Sequence, residues 1–153
     1  MDRKIVCRGL TLIELLITIS ILSILIAISI VSYNGYTKKR EVENDTYRIF
    51  SLVNKARTSS FTDKTNYYIY LSNDGFEVVM DNNTNSGDGV MDSIFLKRRF
   101  LSDNSSYLFD KNGFLKPVGK IYPEDIEDVQ YNCIKFADMV YMGKMNGGNC
   151  EPK

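Results

Sequence analysis

Apolar residues follow one another almost without interruption from Leu10 to Val31, and polar residues outnumber them from there to the C-terminus. The apolar run is 22 residues long. As a helix rising about 1.5 Å per residue it reaches roughly 33 Å, enough to cross the hydrocarbon core of a bilayer. A secretory signal would have a shorter apolar core and a small-residue cleavage site after it, and none stands out here. The run therefore predicts a single membrane-spanning helix over 10–31 that stays inserted. Arg3, Lys4 and Arg8 in front of it put the short N-terminal tail in the cytoplasm, although Lys38-Lys39-Arg40 on the other side weakens that count. The rest of the chain then lies outside the cytoplasm.

Past residue 31 the apolar positions recur at helical spacing. Val42, Thr46, Ile49, Phe50, Val53 and Ala56 share a face, with Lys38, Lys39, Arg40, Glu41, Glu43, Arg48 and Lys55 mostly on others. This predicts an amphipathic continuation of the helix over 32–60, ending near Ser59. From Thr65 the period falls to two. Tyr67 to Leu71 and Phe76 to Met80 flank Asn73-Asp74-Gly75 and predict a hairpin. Further strands are expected at 93–100, 106–109, 114–118, 129–136 and 139–142, with Asp110-Lys111-Asn112-Gly113 closing a second hairpin and Tyr122-Pro123-Glu124-Asp125 forming a loop. The fold class is α+β: a long N-terminal helix, half membrane-spanning and half amphipathic, packed on a C-terminal antiparallel sheet domain over 61–153.

The chain has no histidine, which removes the commonest general base and metal ligand and every Ser-His or Cys-His arrangement. No enzyme is expected. Of 19 basic and 19 acidic residues, Arg3, Lys4, Arg8 and Asp2 precede Gly9, so the remainder holds 16 and 18 and carries a net charge of −2. A surface of that sign exerts no general pull on nucleic acid.

Glu14 is the one ionisable side chain between Leu10 and Val31. A carboxylate near the centre of a membrane helix costs about 2.5–3.5 kcal/mol, less near an end, so either it snorkels or something compensates for it. The surrounding segment Gly9-Leu10-Thr11-Leu12-Ile13-Glu14-Leu15-Leu16 resembles the type IV prepilin signature, in which a basic leader ends in Gly before a hydrophobic residue and an apolar helix. The resemblance implies that a prepilin peptidase removes the leader 1–9 by cutting between Gly9 and Leu10 and methylates the new amine of Leu10. It implies also that Glu14 pairs with the N-terminal amine of a neighbouring subunit during assembly, as a charge in apolar surroundings requires. Two positions depart from the family pattern. Leu10 stands where Phe is usual, and Val31 stands where a kinking Pro is common, so a bend would have to come from Asn34-Gly35.

Within the pilin-like families the soluble part is most similar to minor subunits of the GspH/FimT group. The residues that carry this are Asn54-Lys55-Ala56-Arg57-Thr58-Ser59-Ser60, the Asp81-Asn82-Asn83-Thr84-Asn85 turn, the Phe109-to-Gly113 hairpin and the late cysteine pair. The resemblance implies a minor pilin or pseudopilin of a pilus, a type II secretion pseudopilus or a competence filament, with other pilin subunits, the peptidase and the membrane as partners. The competing reading is a DNA-capturing minor pilin using Lys97, Arg98, Arg99, Lys111, Lys116, Lys120, Lys135 and Lys144. Against it, the group's basic G-R-x-R stretch is reduced here to Gly143-Lys144-Met145-Asn146.

Cys7 would leave with the leader. Cys133 and Cys150, in a domain outside the cytoplasm, suit a disulfide closing a loop of about 18 residues and worth about 3 kcal/mol in the chain-entropy model. Two cysteines without histidine are too few for structural zinc. Asp81, Asn83, Asn85 and Asp92 approximate positions 1, 3, 5 and 12 of a calcium loop, although Ser86 stands where such loops want Gly and Asp92 is shorter than the usual Glu. A solvated Asn- and Gly-rich hairpin loop accounts for the same composition, and no other cofactor is expected.

Overall fold

The apolar run and the amphipathic stretch form one helix. The computed structural model describes residues 11–82, 89–125 and 128–153, without the side chains of 28–32 and 34, and α1 covers Leu12–Asp63. The chain forms two compact units, residues 1–37 and 38–153. In the first, the side chains described on α1 up to Tyr36 are exposed, among them Leu12, Ile13, Leu15, Ile17, Ile19, Ile21, Leu22, Ile24, Leu25 and Ile26. Among the described residues no helix is long and apolar enough to cross a membrane.

In the second unit α1 buries the face that its sequence spacing marks. Val42, Thr46, Ile49, Val53 and Ala56 are each fully buried, Leu52 joins them, and Phe50 packs partly buried against the same core. Lys64 takes the left-handed conformation (φ 55°) just past the helix end, the usual way to stop a helix, at a residue other than glycine.

Among the described residues ten strands follow: β1 Tyr67–Leu71, β2 Glu77–Asp81, β3 Val90–Phe95, β4 Phe100–Ser102, β5 Tyr107–Phe109, β6 Leu115–Lys116, β7 Gly119–Pro123, β8 Cys133–Phe136, β9 Val140–Asn146 and β10 Asn149–Pro152. The β1–β2 hairpin forms about the Asp-Gly turn, with Gly75 at φ 78° and its amide hydrogen-bonded to the Ser72 carbonyl. In the turn between β5 and β6 the Asp110 carboxylate accepts hydrogen bonds from the backbone amides of Phe114 and Asn112, both 2.9 Å, which hold it below the usual carboxylate range.

The antiparallel sheet domain expected is made of two five-stranded sheets. One has the order β3-β2-β1-β5-β6, the other β10-β9-β8-β7-β4. The stretch 93–100, expected as one strand, is split. β3 ends at Phe95, residues 96–99 cross over, and β4 begins the other sheet at Phe100. Tyr122 and Pro123, expected in a loop, end β7, and β10 was not expected at all.

The sheets meet where Tyr107 of β5 stacks on Phe136 of β8, ring centroids 3.8 Å apart and nearly parallel. The buried Tyr107 hydroxyl donates to the Lys120 carbonyl at 3.0 Å, so its polar atom is satisfied. Phe100, Phe109, Ile69, Val78, Ile121 and Ile134 complete the core around them. Burying each such side chain contributes about 1.5–3 kcal/mol.

Candidate functional site

Gly9 and Leu10 lie outside the described residues. Thr11 and Glu14 are described, and the geometry at the start of α1 is specific. The Glu14 Oε2 accepts hydrogen bonds from the Thr11 backbone amide at 2.9 Å and from the Thr11 hydroxyl at 2.8 Å, while the Glu14 amide donates back to Thr11 Oγ1 at 3.3 Å. This reciprocal pair is a capping box, with Thr11 as N-cap and Glu14 three residues on. The Leu15 amide to the Thr11 carbonyl, 3.2 Å, then opens the helical ladder. A negative charge in the first turn also suits the helix dipole. Glu14 thus has a role within its own chain that the sequence reading did not assign, although the T-x-x-E spacing was there to find it.

Cys133 and Cys150, 17 positions apart in sequence, are joined as a disulfide with Cα atoms 6.0 Å apart. The bridge ties β10 to β8 through β9, and Met145 and Tyr122 pack on it as a small second cluster.

Asp81 and Asp92 sit on neighbouring strands: Asp81, fully buried, ends β2, and Asp92 of β3 pairs in register with Met80. Asp92 is bound to the Lys55 ammonium, which holds its carboxyl below the usual range. Asn83 and Asn85 lie outside the described residues. Among the described residues no cluster of three His, Cys, Asp or Glu side chains forms a metal site.

Lys97, Arg98 and Arg99, expected to alternate on a strand, instead form the crossover between the sheets. Arg98 pairs with Asp125 at 2.9 Å and Arg99 with Glu124 at 2.9 Å. Lys120 pairs with Asp103 at 3.4 Å and Lys144 with Asp128. Half of the cations available for a polyanion are therefore already matched by carboxylates of the same domain.

Beneath the crossover lies Asp45, which sequence reasoning missed. It is buried on α1, and its Oδ2 accepts hydrogen bonds from the backbone amides of Lys97 at 2.7 Å and Arg98 at 3.0 Å. Burial pushes its carboxyl up, against the amides of Arg98 and Lys97 and the Arg48 guanidinium 3.7 Å away. Its position was readable, since 42, 45, 46 and 49 make one helix face; a carboxylate on a core face signals a buried partner.

Residues 6–30 match the family described as the prokaryotic N-terminal methylation motif. The chain is 29% identical over 72 residues to type II secretion system protein H of Pseudomonas aeruginosa, covering 47% of this chain and 42% of that protein. It therefore spans less than half the length of that relative. The crystal structure of the type IV minor pilin FimU of Pseudomonas aeruginosa has the same fold, with a TM-score of 0.57 at 11% identity, covering 70% of this chain and 91% of that one. The methylation motif lies at the start of a long helix that packs on an antiparallel β-domain, and the chain is similar in part of its sequence to type II secretion system protein H and in fold to a type IV minor pilin.

Proposed function

We propose that this chain is a membrane-anchored structural subunit of a type IV pilus or of a type II secretion pseudopilus. Residues 1–9 are a leader removed by a prepilin peptidase between Gly9 and Leu10, and the new amine on Leu10 is methylated. Residues 10–31 hold the subunit in the cytoplasmic membrane by a single pass and later pack among the helices of other subunits. The β-domain lies outside the cytoplasm and forms the filament surface.

The observation that carries this reading is the methylation motif at 6–30 coinciding with the start of α1 at Leu12. Cleavage at Gly9 would leave the Leu10 amine one residue ahead of the Thr11–Glu14 capping box, so the charge that a neighbour's Glu14 requires would be created beside a carboxylate already oriented at a helix terminus. The disulfide is what an oxidising compartment permits.

Intact mass measurement of the membrane fraction tests the processing step. Wild-type chains should start at a methylated Leu10, and Gly9→Val chains, which set a branched side chain beside the scissile bond, should keep residues 1–9. A wild-type chain that retains its leader in the presence of an active prepilin peptidase would overturn the reading.

A further inference from the structure

Each sheet leaves two edge strands, and among the described residues three of the four are poor templates for pairing. β6 has 2 residues and is followed by Pro117, which has no N–H; β4 has 3; and β10 ends at Pro152. β3 is different. It has 6 residues and exposes Val90, Met91 and Phe95, the combination that invites edge-to-edge pairing.

The register shows which of its backbone groups are open. Glu77 pairs with Phe95, Val78 with Ile94 and Val79 with Ser93, and the Leu96 amide donates to the Phe76 carbonyl at 2.7 Å. Positions 92, 94 and 96 therefore turn their N–H and C=O toward β2, and positions 93 and 95 turn theirs outward. Two of these outward groups are already occupied by side chains. The Arg48 guanidinium donates to the Phe95 carbonyl at 2.7 Å, and the Ser93 amide is hydrogen-bonded to the Asp92 carboxylate, which Lys55 holds in place. Both cations come from α1, one helical turn apart twice over, and both keep about half of their surface in solvent (48% for Arg48, 57% for Lys55).

We infer that Arg48 and Lys55 close the outer edge of β3 against strand pairing with a second copy of this domain. A strand added there must strip the Phe95 carbonyl of its charged donor and the Ser93 amide of its acceptor, and must take two half-exposed cations out of solvent. This keeps subunits from meeting through their sheets, and it is independent of how the leader is processed.

The test compares the full-length chain in detergent micelles with the Arg48→Ala/Lys55→Ala variant and with the same variant carrying Phe95→Pro. Sedimentation reads self-association, and amide hydrogen exchange reads β3. The double variant should associate about tenfold more tightly than wild type, with slowed exchange at the Phe95 amide. Because that amide points outward, proline at 95 removes no bond to β2 and should return the chain to wild-type association. Association that the proline leaves untouched would mean general unfolding rather than edge pairing, and association no stronger than wild type would mean the edge needs no such closure; either result overturns the inference.

Discussion

The Oδ2 of Asp45 lies 3.0 Å from the backbone nitrogen of Arg98, a residue 53 positions further along the chain. Together with the bond from the Lys97 amide at 2.7 Å, this contact fixes the place where the chain leaves one sheet for the other. Both amides are donors that the crossover cannot satisfy from a neighbouring strand, so the helix supplies the acceptor.

Two substitutions separate the acceptor from the charge. Asp45→Ala orphans two backbone amides in a buried place and should cost about 2–4 kcal/mol. Asp45→Asn keeps an oxygen for them and should cost about 1 kcal/mol or less at neutral pH. The pH dependence has a definite sign. Burial raises the folded carboxyl, so the stabilisation from protonating Asp45 is present below its unfolded pKa and is lost as pH rises through the folded one. Wild type should therefore gain on the Asn variant as pH falls from 7 toward 4, and thermal melts of both chains at the two pH values measure it. A gap that widens on acidification in favour of Asn would contradict the burial argument.

The disulfide acts at one edge of the second sheet. Cys133 and Cys150 are buried, yet the cluster they belong to is small, with Met145 and Tyr122 as its other members. Replacing both by serine should cost about 3 kcal/mol. The loss should be local in amide exchange, with β10 and the 147–148 turn opening first and β1 and β2 keeping wild-type protection. Uniform loss of protection would mean that the bridge supports the whole domain.

Gly143 of β9 lies directly against the backbone of β10. A Cβ added there would lie 2.1 Å from the Glu151 carbonyl oxygen and 2.8 Å from its carbon, both backbone atoms that cannot rotate aside. Gly143→Ala should push β10 off β9 and cost about 1–3 kcal/mol, seen as a lower melting temperature and faster exchange at Lys144 and Glu151. If the Ala chain melts with wild type, β10 is not held against β9 as described.

Much of the helix and the first hairpin was legible because each has a local period. Val42, Ile49, Val53 and Ala56 mark a helix face, and Tyr67, Ile69 and Val78 alternate about an Asp-Gly turn. The division of 93–100 was not legible, because Leu96 is buried and Phe100 is buried, so the stretch continues to read as a strand while its backbone changes sheets. Partner choice depends on contacts far along the chain, among them that with Asp45. β7 was hidden by Pro123, which ends the strand beside Phe100 of the short edge strand β4. In the candidate site the carboxylate of Glu14 stood out for its chemistry, which drew attention away from the T-x-x-E spacing that makes Thr11 its N-cap partner.

Glu14 can be tested so that the helix cap it forms and the amine pairing proposed for it come apart. As the third residue of a capping box it needs only a side-chain acceptor, and glutamine serves there as well as glutamate. As the partner of a neighbour's N-terminal amine it needs its charge, and glutamine fails as alanine does. Glu14→Ala and Glu14→Gln should both insert and be cleaved, insertion even gaining by up to about 2.5–3.5 kcal/mol as the charge is removed. Both should then accumulate as mature, methylated chains outside the filament. Thr11→Ala should instead fray the first turn, at about 1 kcal/mol, and still assemble, because the charge at 14 remains. Intact mass of the membrane pool and subunit content of sheared filaments read the three variants together. Assembly of Glu14→Gln at the wild-type level, with Glu14→Ala failing, would assign Glu14 to capping its own helix and remove the amine-pairing role.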